Sequence, residues 1–341
     1  MAAPTSMPSI IGEAPVFLEM LEHVSRAAPL SKPVLVVGER GTGKELIASR
    51  LHFLSGRWES RIVKVNCAAL TESILESELF GHEAGSFTGA TRTHAGHFEQ
   101  ADGGTLVLDE LATVSLRMQE KILRVIEYGE IQRVGGSETH HVDVRIVGST
   151  NADLRGLAAA GKFREDLLDR LAFDVITVPP LRERTEDILT LANAFAINMA
   201  SELRRALFPG FGPRASSALL KYDWPGNVRE LKNAVERSVY RSPDDGAMIN
   251  DIAFDPFDSP YSPSGTAPTR AAAQERRRAP LLPADLTQRV ADFEQELLEA
   301  AMGRAKYNQR LAADLLGLSY DQLRGKLRKY DIRRSAESAD D

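Results

Sequence analysis

The stretch Gly38-Glu-Arg-Gly-Thr-Gly-Lys44 constrains this chain more than any other. Its spacing, G-x-x-x-x-G-K, is that of the loop whose backbone N–H groups close around phosphate oxygens. The four residues before it, Val34 to Val37, are apolar and mostly β-branched, a run too short for a helix. The residues after it, 44–55, carry helical periodicity. A strand, this loop and a helix in that order aim the loop's N–H groups and the helix N-terminus at one anion; a chance glycine-rich turn needs no such setting. Gly38, Glu39, Arg40, Gly41, Thr42, Gly43, Lys44 and Glu45 are therefore the expected nucleotide-binding residues, with Lys44 reaching the β- and γ-phosphates. Ser or Thr usually follows the lysine and binds Mg²⁺. Here Glu45 stands there, so the metal must be held from elsewhere.

More short apolar runs follow at 62–65, 105–108, 142–149 and 175–178, alternating with helical stretches at 71–80, 116–128 and 164–171. That alternation predicts an α/β fold, a parallel sheet between layers of helices. The run at 105–108 delivers Asp109 and Glu110 to a strand's C-terminal edge, where nucleotides sit in such sheets. Asp109 can organise Mg²⁺ and Glu110 can polarise the attacking water. Alone, the two acids could equally solvate a strand end; the phosphate loop tips the balance. After Pro179-Pro180 only helical patterns remain, at 185–203, 213–222 and 227–240. Between Arg241 and Pro283 lie seven of the 17 prolines and few aliphatic residues, which reads as a linker. The expected divisions are 1–178 (α/β), 179–241 (helical subdomain), 242–283 (flexible linker), 284–334 (all-α module) and 335–341 (disordered tail).

Lys and Arg number 42 against 48 Asp and Glu, a formal charge of −6, which excludes a uniformly basic nucleic-acid coat but not a local basic module. The single cysteine, Cys67, excludes an internal disulfide. Nothing approaches an 18-residue apolar run, and no secretory signal opens the chain. A cytoplasmic protein is expected.

Glu78-Leu-Phe-Gly-His-Glu-Ala-Gly-Ser-Phe-Thr-Gly-Ala90 resembles the surface loop peculiar to sigma-54-dependent transcription activators, the bacterial enhancer-binding proteins of the AAA+ ATPase class. Ser86 replaces the alanine of the family's usual form. The resemblance runs from about Gly12 to Tyr240 and resumes in the last fifty residues. Phe163 to Leu171, Pro179 to Arg184 and Trp224 to Leu231 are further matching blocks. Glu45 after the lysine is acceptable in this family.

The resemblance implies an ATPase that uses ATP and Mg²⁺ to remodel sigma-54 RNA polymerase from closed to open promoter complexes. It makes Gly85, Ser86, Phe87, Thr88, Gly89 and Ala90 the contact to sigma-54; glycines on both sides favour a loop tip over a core position for Phe87. It implies that Asn66 is a switch bonding Glu110, and Asn151 a sensor of the γ-phosphate. Read locally, Asn66 could instead cap the next helix and Asn151 fill a turn. Arg164 and Arg170, six apart and so on opposed flanks of one helix, are implied as arginine fingers acting on a neighbouring subunit, a contribution of about 10³–10⁵ in rate where such fingers are well characterised. Either alone could be a surface salt bridge. Arg229 is implied as a second sensor. Trans-acting fingers imply a ring, and the family forms hexamers.

With the phosphate loop starting at Gly38, no sensing domain is expected ahead of it, so control would come from a separate inhibitor. The resemblance implies phage-shock target genes, restrained by phage shock protein A. Trp58, in an apparent loop, is the candidate contact, although a lone Trp is as readily a packed anchor.

Residues 308–328 pattern as helix, Gly317 turn and helix, with Ala312, Leu315 and Leu316 expected on one apolar face and Ser319 as N-cap. From Gly303 to Arg334, Lys and Arg exceed Asp by six, leaving the rest of the chain about twelve negative. The segment resembles the Fis-type helix-turn-helix, implying enhancer DNA as partner and 286–302 as a dimerising helix; a solvated helical hairpin is the bland alternative. Tyr320, Gln322, Arg324, Lys326 and Arg328 are the candidate DNA contacts. Two other classes stay open: an AAA+ motor of another clade, and a non-hydrolysing DNA-binding regulator.

Overall fold

The protein is described here by a computed structural model covering residues 7, 9–243, 246–257, 286–305 and 308–330. Five parallel strands form the central sheet in the order β2-β3-β6-β1-β7. They are β1 (Val34–Val37), β2 (Ile62–Asn66), β3 (Thr105–Asp109), β6 (Arg145–Thr150) and β7 (Asp174–Thr177). Between β3 and β6 the chain makes a small antiparallel hairpin, β4 (Glu130–Gln132) and β5 (Thr139–His141). In-register pairing puts Asn66 opposite Asp109 and Val37 opposite both Thr150 and Thr177. The strands' C-terminal ends therefore form one edge, and the phosphate loop leaves it from the second strand in.

Nearly every residue of β1, β3 and β6 is buried, as a sheet covered on both faces requires. Alternation decides which core each residue joins. Val34, Val36, Val107 and Val147 pack with α1 (Pro15–Ala27) and α2 (Lys44–Phe53). Leu35, Leu106, Leu108 and Ile146 pack with α3 (Glu72–Phe80), α4 (His97–Gln100), α5 (Leu116–Tyr128), α6 (Leu154–Ala159) and α7 (Glu165–Leu171) on the other face. At the start of β6, buried Arg145 donates to the carbonyls of Ala27 (3.0 Å), Ala28 (2.6 Å) and Leu51 (3.4 Å). One guanidinium thus satisfies acceptors left over at the C-terminal ends of α1 and α2. Burial, with Arg57 nearby, pushes it down to about 10.

The helical subdomain comprises α8 (Glu186–Glu202), α9 (Pro213–Lys221) and α10 (Asn227–Arg241) around fully buried Trp224. The linker expected from residue 242 does not begin there. Ile249, Ile252 and Phe254 join this core, Phe211 pairs with Ile249, and the Phe254 ring stacks on Tyr222 at 4.6 Å. Arg237 fastens the strip by donating to the carbonyls of Ala253 and Phe254. Three apolar anchors two to three residues apart suffice to seat a segment whose composition reads as polar overall. The remainder of the expected linker to 283 lies outside the described residues, as does the expected tail at 335–341.

The chain divides into two units, ending and resuming at Phe257 and Asp258. The second contains α11 (Leu286–Arg304), α12 (Gln309–Leu316) and α13 (Tyr320–Lys329). Its core is Leu298, Ala301, Met302, Ala312, Ala313, Leu323 and Leu327. Leu315, expected on the apolar face, is exposed: Ala312, Ala313 and Leu316 form the buried stripe, and Leu315 lies with Leu311 one turn apart on another. No helix among the described residues is long and apolar enough to cross a membrane.

Candidate functional site

The phosphate loop needs backbone that only glycine adopts cheaply. Gly41 and Gly43 stand at φ +80° and +97°. Lys44 opens α2, is almost fully buried, and donates from Nζ to the carbonyls of Gly38 (3.0 Å) and Glu39 (3.2 Å). Burial pushes its ammonium below the ordinary lysine value, against the pull of Glu110 and Asp109, while Arg229 adds to the depression. A cation is thus held inside the loop by bonds that phosphate oxygens can replace. Beside the loop, a cavity of about 110 Å³ is lined by Ile10, Ile11, Phe17, Leu46 and Val228, an apolar slot of the size of a nucleobase.

Asp109 ends β3. Its Oδ1 accepts from the Ser149 hydroxyl at 2.5 Å, and its Oδ2 accepts nothing among the described residues. Glu110 follows at φ +53°, a left-handed conformation that few side-chain-bearing residues adopt without cause. Its carboxylate accepts no hydrogen bond among the described residues, so it is free to serve water. A free, hard oxygen on Asp109 suits Mg²⁺. Glu45 does not compete for it: its carboxylate is paired with Lys64 at 3.0 Å on the exposed side of α2.

The expected bond between Asn66 and Glu110 is not made. Asn66 Oδ1 accepts from the Ala68 N–H at 2.9 Å, closing a local turn after β2, because a bond two residues away costs less ordering than one across the sheet edge. Asn151 is exposed just past β6, on the same edge. Arg164 is not on the helix with Arg170; it is the residue before α7 starts, so the two do not occupy opposed flanks of one helix. Its N–H donates to Gln119 Oε1 at 2.8 Å and its guanidinium pairs with Asp166. Arg170, in the last turn of α7, is exposed and pairs with Glu127 at 2.9 Å.

Arg229 sits in the first turn of α10, and its N–H donates to the Gly41 carbonyl at 3.3 Å. Sequence reading missed how firmly the helical subdomain grips the loop. Arg182 binds the Glu39 carboxylate, Arg184 donates to the Thr42 carbonyl at 3.2 Å, and Asn227 bonds Glu39 and the Arg40 carbonyl. Glu39 is therefore committed to the lid. The matching blocks at 179–184 and 224–231 contained these residues, but only the fold brings the blocks together.

The Phe-Thr loop is a tight turn. The N–H of Gly85 donates to the Ala90 carbonyl at 2.7 Å and that of Ala90 to the Phe87 carbonyl at 3.0 Å, with Gly85 and Gly89 at φ +82° and +108°. Phe87 is 47% exposed, its ring edge-on to His82 at 4.9 Å. Thr88 is exposed. Ser86 is half-buried, its hydroxyl without a partner among the described residues, and is set against Gly135, where a Cβ would come within 2.4 Å of its own. Arg133 clamps the base through Glu83 (2.9 Å) and Glu99 (2.6 Å), which holds both carboxyls below the usual range. Trp58 is 51% exposed in a turn after α2, not a packed anchor.

In the second unit, Ser319 caps α13, accepting from the Gln322 N–H at 3.2 Å while Gln322 Oε1 accepts from the Ser319 N–H. Three of the five candidate DNA residues are thus engaged: Gln322 in the cap, Lys326 with Glu294, and the Tyr320 hydroxyl with Gln309. Arg324 and Arg328, one turn apart and on the flank beside buried Leu323 and Leu327, are exposed without partners among the described residues.

A parallel sheet with this loop, an acid pair two strands over across β6 and a helical lid closing on the loop define an AAA+ P-loop ATPase. The chain belongs to the family of sigma-54-dependent transcriptional activators. Residues 10–177 match the sigma-54 interaction domain, 182–260 the AAA+ ATPase lid domain and 289–330 the bacterial regulatory protein Fis family. It is 57% identical over 325 residues to the Psp operon transcriptional activator of Escherichia coli K12, covering 95% of this chain and 98% of that one. It is 41% identical to the transcriptional regulatory protein ZraR of Klebsiella oxytoca, covering 95% of this chain and 69% of that one. The crystal structure of NtrX from Brucella abortus in complex with ATP superposes with a TM-score of 0.69 at 33% identity, covering 95% of this chain and 70% of that one. The chain is thus a nucleotide-binding transcriptional activator with sigma-54 and DNA as partners.

Proposed function

We propose that this activator binds enhancer DNA through α13, assembles into a ring, most simply a hexamer, and hydrolyses ATP to open sigma-54 promoter complexes. The likeness to the Psp operon activator supports phage-shock genes as targets, a cytoplasmic setting and phage shock protein A as inhibitor, with exposed Trp58 as its contact. The observation carrying the reading is that one folded unit holds both a complete phosphate site and a half-exposed Phe87 on a glycine-flanked tip.

Lys44 and the loop's N–H groups bind the phosphates, and the apolar slot takes the base. Asp109 is the residue to hold Mg²⁺, which when bound neutralises phosphate charge and orients its oxygens. Glu110 takes a proton from water as that oxygen attacks the γ-phosphorus and ADP leaves. Asn151 and Arg229 sense the γ-phosphate. Asn66 restrains Glu110 only in a state where its side chain leaves Ala68. Arg164 and Arg170 act on the neighbour's nucleotide, exchanging Asp166 and Glu127 for phosphate oxygens; Arg170 is the more exposed. Movement reaches the Gly85–Ala90 turn, where Phe87 and Thr88 engage sigma-54.

The deciding experiment is open-complex formation by the purified chain with sigma-54 RNA polymerase. ATP should support it and a non-hydrolysable analogue should not. Lys44→Ala and Arg170→Ala should lose hydrolysis, whereas Thr88→Ala should keep hydrolysis and lose opening. Opening with the analogue, or by Thr88→Ala, overturns the reading.

A further inference from the structure

Two elements of the lid, the turn Leu181–Glu183 and the start of α10, converge on one carboxylate of the phosphate loop. Glu39 accepts two hydrogen bonds from the Arg182 guanidinium, at 2.7 and 2.9 Å, and a third from Asn227 Nδ2 at 3.1 Å. Asn227 is fully buried and left-handed at φ +52°. That conformation is paid for by three bonds: its Oδ1 accepts from the Leu181 N–H at 2.8 Å, and its Nδ2 serves the Arg40 carbonyl as well as Glu39. Loop and lid also touch through backbone. A Cβ on Gly41 would come within 2.3 Å of the Gly226 carbonyl, and the Arg229 N–H donates to the Gly41 carbonyl.

We infer that Glu39, Arg182 and Asn227 form a latch that sets Arg229 in register with the nucleotide phosphates, making Glu39 a positioning residue and not a nucleotide ligand. The inference rests on Arg229 being the residue that contacts phosphate. The lid has its own apolar core, so its orientation to the sheet must be fixed by contacts at the boundary. A planar guanidinium gripping both carboxylate oxygens fixes angle as well as distance, which a lysine cannot do. The pair is nearly half-exposed, at 46% and 43%, so it is weak enough to open in each cycle. Because Glu39 is part of the loop that wraps phosphate, a shift of that loop on binding or release moves the lid directly.

The test is steady-state ATP hydrolysis by the full chain carrying Arg182→Ala, Arg182→Lys or Glu39→Gln, each alone and with Arg229→Ala. Hydrogen exchange of the amides at 226–230 is followed in parallel. If Arg182 acts through Arg229, Arg182→Ala lowers kcat/KM about tenfold alone but less than about twofold in the Arg229→Ala background. Arg182→Lys, which keeps charge without the fork, falls between. The amides at 226–230 exchange about tenfold faster in Arg182→Ala, while the melting temperature stays put. Equal losses in both backgrounds, no loss at all, or unchanged exchange would overturn the latch. A wild-type chain that hydrolyses no ATP condemns the ATPase reading instead, and the exchange result then judges the latch alone.

Discussion

Cys67 shows how one position can be central and yet inert. Its N–H donates to the Asp109 carbonyl at 2.9 Å, so it belongs to the edge that carries the acids. Cys67 is 4% exposed, and burial, with Asp109 nearby, pushes its thiol up to about 12. A thiol that stays protonated is a poor nucleophile. In the native protein it should therefore react with a disulfide reagent at pH 8 at least about a hundredfold slower than in denaturant, a difference a simple absorbance assay reads. Residues whose chemistry follows from local spacing were legible in the sequence: Lys44, Asp109 and Glu110 all stand at the edge that the motif and the strand pattern require. Asn66 was not, because a local bond to Ala68, two residues on, competes with a long-range bond to Glu110 across the sheet edge, and only the geometry of the turn chooses. Glu39 was read as a phosphate neighbour because its partners, Arg182 and Asn227, lie more than 140 positions away.

Elements were legible where period and length agreed. β1, β3, α5 and α10 fall where the pattern puts them, and β6 begins at Arg145 because residues 142–144 lead in from the hairpin. The hairpin β4–β5 escaped notice: three-residue strands carry too few alternations to stand out. The strip at 246–254 escaped because composition averages away three well-placed apolar anchors. Arg145 links elements that no local pattern connects. Replacing it with leucine leaves buried carbonyls of α1 and α2 without donors and should destabilise the first unit by about 3 kcal/mol in urea unfolding. In the second unit, Glu294 of α11 meets Lys326, Lys329 and the Tyr330 hydroxyl at the end of α13. Those bonds, Lys326's foremost, lower its carboxyl to about 2. A depressed carboxylate stabilises the fold fully above its unfolded value, about 4.3, and loses that contribution as pH falls towards 2. The melting difference between wild type and Glu294→Gln should therefore be constant from pH 7 to 5 and vanish near pH 2, in a pH series of thermal melts of the second unit's transition.

At the scale of the molecule, the two units divide the labour. The first holds the phosphate site, the lid and the Phe-Thr turn; the second holds the helix-turn-helix. A chain ended at Phe257 keeps the Ile249, Ile252 and Phe254 anchors on the lid core. It should fold, hydrolyse ATP and lose measurable affinity for duplex DNA, as melting, phosphate-release and gel-shift assays can check; a version ended at 241 should melt lower. The Gly85–Ala90 turn has a consequence for mechanics. Only four residues lie between its closing partners, and at most about 3.5 Å is gained per residue on full extension. Running out and back, such a tip can lengthen by no more than about 7 Å. Any larger stroke has to be made by levering the whole base, with Arg133 as the pivot that decides whether the tip travels with the body beneath it.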